Sequence, residues 1–105
     1  MGRYLSDSLV HMHFAGAGSD TIAIDASHTV KVMFLDISAP VSAQVTLQIG
    51  ATTFWVGTVT TTPVQLSFGG GRGTGVKGDD VTVTVTAACD VFVGILQIEI
   101  PTVPS

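Results

Sequence analysis

A chain of 105 residues, 46% hydrophobic and only 11% charged, with a formal net charge of −4, has room for one domain and none for a second. Its four cations make no basic stripe, which excludes nucleic acid as a partner, and the single Cys89 excludes an internal disulfide. With a mean hydropathy of +0.55, the surface must be built from Thr, Ser, Gly, Gln and leftover apolar side chains, as suits a chain that lies against neighbouring subunits.

The first eight residues, MGRYLSDS, are expected to form an arm. Met1, Gly2 and Ser6 fit an acylation pattern that is short enough to arise by chance. No stretch approaches the roughly 18 apolar residues of a membrane-spanning helix or the apolar run of a signal peptide, so a soluble, cytoplasmic origin is expected, with no membrane partner.

From residue 9 onward apolar residues alternate with period two, the spacing of strands, and helical spacing is absent. LVHMHF (9–14) puts Val10, Met12 and Phe14 on one face. After the turn-forming GAGSD, TIAID (21–25) turns Ile22 and Ile24 inward. TVKVMFLDIS (29–38) is apolar on both faces, as a central strand covered on both sides would be. AQVTLQI (43–49) buries Val45, Leu47 and Ile49 and exposes Gln44, Thr46 and Gln48; Gly50 then permits a reversal. TFWVGTV (53–59), VQLSF (64–68), DVTVTVTA (80–87) and DVFVGILQIEI (90–100) complete about eight strands, and residues 101–105 are expected to form a tail. Turn signals every 8 to 12 residues predict an all-β antiparallel sandwich of jelly-roll type over 9–100. A membrane barrel would need longer strands and two girdles of aromatics, for which the chain's 7% aromatic content is too small.

The run GGGRGTGVKGDD (69–80) contains G-x-G-x-x-G at Gly73, Gly75 and Gly78. A dinucleotide fingerprint delivers phosphate to a helix N-terminus, but here a strand pattern follows. Lys77 precedes Gly78, so the Walker pattern fails as well. The run is expected to be a loop between strands, with Arg72 and Lys77 making it a basic docking element on an acidic protein.

His11 and His13, two apart on a strand, project from one face about 6.6–6.8 Å apart and are weak candidates for a metal. The H-x-H resembles the start of the cupin metal motif, but the Glu that motif needs is missing, and no cofactor is expected. No Ser lies in a G-x-S-x-G elbow, and most of the aspartates sit beside Gly, Ser or Ala where turns are expected. Asp36, inside an apolar strand, is either a buried hydrogen-bonded acid or an interface group. Cys89 reads as a small core residue. Phe54 and Trp55, adjacent on a strand, should face opposite ways, which makes Trp55, like Tyr4, an interface candidate.

With the strands placed, residues 9–100 resemble the small β-sandwich virion proteins of tailed bacteriophages. The resemblance lies in TIAIDASHTVKVMFLDISAPVSAQVTLQIGATT, then PVQLSFGGG, then a glycine loop and GDDVTVTVTAACDVFVGILQIEI. It implies a non-enzymatic structural part of the virion, assembled in the host cytoplasm. That part is either a capsid decoration (cement) protein, or a tail or fibre module that binds a receptor or glycan, or a tail adaptor; a cupin-like metal enzyme using His11 and His13 is the remaining alternative. The virion part is commonly a homotrimer, and its partners are itself and the major capsid or another virion protein.

Overall fold

The computed structural model describes residues 5–99. They form eight strands: β1 (Leu5–Phe14), β2 (Gly18–Ile22), β3 (His28–Ser38), β4 (Ala43–Ile49), β5 (Thr52–Val59), β6 (Val64–Arg72), β7 (Val81–Val85) and β8 (Cys89–Glu99). Two four-stranded sheets result, ordered β1-β8-β3-β6 and β2-β7-β4-β5, and every pairing is antiparallel. The chain passes from one sheet to the other at every connection except β4–β5, and this double Greek key is a jelly roll. The all-β sandwich expected from the alternation is the fold.

The inner faces explain why these segments are strands. Val30, Val32, Leu35, Ile37, Val91, Val93 and Ile95 of the first sheet meet Val45, Leu47, Ile49, Val81, Val83 and Val85 of the second, all essentially without solvent contact. β-Branched side chains pack well on a pleated surface, and each buried one contributes about 1.5–3 kcal/mol. No polar or charged residue is buried among the described residues, so the core carries no desolvation debt. Cys89 lies in it, and burial pushes its thiol pKa up.

Four departures from the sequence pattern bear on the outer faces. Leu5–Ser8 belong to β1, where they pair with Ile98–Ile95, so the described part of the expected arm is strand. β2 begins at Gly18, inside the expected turn. The glycine run is only partly a loop, because Gly69–Arg72 continue β6. Finally, β3 lies between β8 and β6 as a central strand should, but no described part of the chain covers its outer face.

Candidate interaction face

The register across the first sheet places five rows of side chains on its outer face. Ile98 and Thr29 make the first row; Leu96 and Lys31 the second; Leu9, Gly94, Phe34 and Ser67 the third; His11, Phe92, Asp36 and Gln65 the fourth; and His13, Asp90 and Ser38 the fifth. A bulge between Val32 and Phe34 inserts Met33, so Met33 and Phe34 both stay off the core. This is how β3 comes to be apolar on both sides.

Two kinds of glycine shape that face. A Cβ on Gly94 would run into the ring of Phe34, which lies across it. A Cβ on Gly71 would lie 2.8 Å from Sδ of Met33 and 2.9 Å from Cβ of Lys31, and one on Gly73 would strike the carbonyl oxygen of Val30. The glycines of the 69–80 run therefore let β3 and its long side chains close over β6. Gly69, Gly71, Gly75 and Gly78 also take positive φ, and strand β7 follows where a phosphate-binding loop would need a helix.

At the centre of the face is a shallow groove of about 400 Å³ lined by Ser8, Leu9, Met33, Phe34, Gly94 and Ile95. Leu9, beside it, is 63% exposed. Toward the polar end, a smaller depression is lined by Asp36, Ser38, Gln65 and Phe92, among others. Asp36 is thus a half-buried residue of the outer face, with Phe92 and Gln65 as its cross-strand neighbours.

His11 and His13 project from the same face, as their spacing requires. Both ring nitrogens meet one oxygen: Nε2 of His11 is 2.9 Å and Nδ1 of His13 2.7 Å from Oδ1 of Asp90. The His11 ring stacks on Phe92, with centroids 4.4 Å apart and planes 6° from parallel. The hydrogen bonds from His13 and His11 hold the Asp90 carboxyl below its usual value of 3.8. Among the described residues no group of three His, Cys, Asp or Glu side chains is arranged to hold a metal ion; the two rings share the Asp90 carboxylate.

The other interface candidates fall elsewhere. Tyr4 lies outside the described residues. Trp55 is half-buried and packs on the core, its ring lying where a Cβ on Gly57 would be. A bulge opposite Leu47 and Gln48 makes Phe54 the inserted residue, and Phe54 packs on the core beside Trp55 instead of facing away. Arg72 ends β6 and Lys77 sits in the following turn, both exposed. The aspartates near them do structural work. Asp80 accepts the Ile24 N–H at 2.8 Å, Asp79 accepts the Thr74 hydroxyl at 2.6 Å, and the backbone N–H and hydroxyl of Ser27 hold Asp25 below the usual carboxylate range.

Leu9, Met33, Phe34, Phe92, Gly94 and Leu96 were not singled out by sequence reasoning. Their signal was present in the doubly apolar run 29–38 and in the second alternation phase of FVGIL, but placing them on one surface requires the strand order.

No protein-family model and no curated protein matches the chain. Among solved structures, the crystal structure of the insecticidal delta-endotoxin Cry8Ea1 from Bacillus thuringiensis is similar to it. The TM-score is 0.53 at 15% sequence identity, over 89% of this chain and 20% of the toxin. The likeness is one of fold, and the chain spans about a fifth of that toxin's length.

Proposed function

We propose that the chain is a non-enzymatic structural subunit of a bacteriophage virion, a capsid decoration protein that stabilises the particle through subunit contacts, with the outer face of the β1-β8-β3-β6 sheet as its contact surface. The observation that carries the reading is the apolar centre of that face, where Leu9, Met33, Phe34 and Leu96 lie off the core with nothing in the described chain over them. Monomeric soluble proteins rarely leave such a patch uncovered at the centre of a sheet. The virion role itself rests on the resemblance of residues 9–100, and the low charge and jelly-roll architecture agree with it. The ionisable groups near turns are engaged in holding backbone and hydroxyls, which suits a scaffold more than a reaction site. The basic residues Arg72, which ends β6 opposite Val32, and Lys77, in the following turn, provide a second, polar contact.

A tail or fibre module that binds a receptor or glycan is the second reading, favoured by the depression where Asp36, Ser38 and Gln65 adjoin the Phe92 ring. Imaging purified particles at a resolution that separates subunits distinguishes the two. Regular copies at local symmetry axes of the capsid are expected; a few copies at the tail would move the assignment to the module, and absence from any particle would overturn both.

A further inference from the structure

The central groove lies at the middle of its sheet. Gly94 is the middle residue of β8, Met33 the middle of β3, and Leu9 one of the two middle residues of β1. The rows on either side of the Leu9–Gly94–Phe34 row are unlike: Lys31 with Leu96 on one side, Asp36 with Phe92 and His11 on the other. A two-fold axis in the plane of the face, perpendicular to the strands and passing over the middle row, would lay each strand antiparallel on its own copy. Lys31 then opposes Asp36 of the other copy, Leu96 opposes Phe92, and Leu9 and Phe34 meet their own counterparts over the groove. The alternative, with the axis parallel to the strands, would lay β3 on β8 and set Lys31 against Leu96 and Asp36 against Phe92, leaving both charges without a partner.

We infer that the partner on this face is a second copy of the chain, packed face to face about that axis. The inference rests on the reading of this face as a contact surface, and it names the occupant. Charge complementarity is the first support, since one opposition produces two Lys31–Asp36 pairs. The second is that the axis sets Leu9, 63% exposed, and Phe34, off the core, against their own counterparts, so that apolar side chains meet apolar side chains across an isologous contact. Area is the third. Four strands spaced about 4.8 Å and roughly 33 Å long present a face of about 600 Å², so two copies bury about 1,200 Å², within the range of specific interfaces. Sheets packed this way lie about 10 Å apart with strands within about 30° of each other. The pairing is two-fold, in place of the trimer that the virion resemblance implies.

The test is sedimentation equilibrium of the full chain at low salt, with circular dichroism and thermal melting to confirm folding. The wild type is expected as a dimer. Leu9→Asp, at an exposed position, should keep the fold and weaken association roughly 30-fold or more. Lys31→Glu should weaken it too, and Lys31→Glu with Asp36→Lys should restore it. Thr84→Asp on the opposite sheet should leave the dimer intact and serves as the control. A monomeric wild type, a trimer, a dimer that survives Leu9→Asp, or a charge reversal that fails to rescue would each overturn the inference. Incorporation of Leu9→Asp into particles separates the two claims. If a monomeric wild type is incorporated and Leu9→Asp is not, the contact-surface reading stands with a different protein as partner. If both are incorporated, that reading falls as well.

Discussion

The two outer faces of the sandwich have the same backbone and nearly the same inner valines behind them, but they carry opposite surfaces. Across the second sheet the central outward row is Ser19, Thr84, Thr46 and Val56, flanked by Thr21, Thr82, Gln48 and Thr53, and the hydroxyls of Thr21 and Thr82 meet at 3.1 Å. Across the first sheet the central row is Leu9, Gly94, Phe34 and Ser67. Threonine keeps the β-branching that suits a strand and gives water a hydroxyl to solvate. Leucine and phenylalanine give water nothing. The fold is satisfied by either choice, so the difference on the first sheet reports a demand other than folding.

The comparison presumes that the inner faces are where stability resides. Leu47, fully buried between the sheets, should cost about 2–5 kcal/mol as Leu47→Ala, measured by denaturant unfolding. A loss much below that range would mean that the core is not the common foundation of the two faces.

The glycines sharpen the contrast at a smaller scale. An aromatic ring lies over Gly57 in the second sheet and over Gly94 in the first, but Trp55 is held by the core while Phe34 is off it. Gly57→Ala should therefore cost about 1–3 kcal/mol by overpacking. Gly94→Ala should cost less, because the Phe34 ring can swing outward; it would close the groove as it does so. Equal losses in thermal unfolding would contradict the distinction between a core-facing and a free-lying ring.

The smallest effect belongs to the polar end of the first face. The native Asp90 carboxyl is held below 3.8 by His13 and His11, so its contribution is present above that pH and is lost as the pH falls through the lowered native value. Asp90→Asn should reduce the melting temperature slightly at neutral pH, and the gap from wild type should vanish in acid. A gap that persisted once the pH had fallen below that native value would refute the pairing.

Legibility from sequence followed the physics of each segment. AQVTLQI was readable to the residue because its alternation is strict and Ala39-Pro40 and Gly50 bound it. β6 was read four residues short, because glycine signals a break in a sequence pattern while here Gly71 and Gly73 are required by close approach from β3. The bulges at Met33 and Phe54 shift the alternation by one residue, which reversed the expectation for Phe54 and Trp55. The His11–His13–Asp90 cluster was half visible: the spacing of the histidines is local, whereas Asp90 arrives through a strand pairing that is 77 residues away from His13 in sequence.

The central claim is that the first sheet's outer face is covered in the working assembly and the second sheet's is not. Hydroxyl-radical footprinting of the assembled and dissociated protein, read by mass spectrometry, tests it directly. The account predicts that labelling of Leu9, Met33, Phe34 and Leu96 falls on assembly while Val56, 49% exposed on the second sheet, is labelled equally in both states. Protection of Val56 with Leu9 and Phe34 still labelled would contradict it.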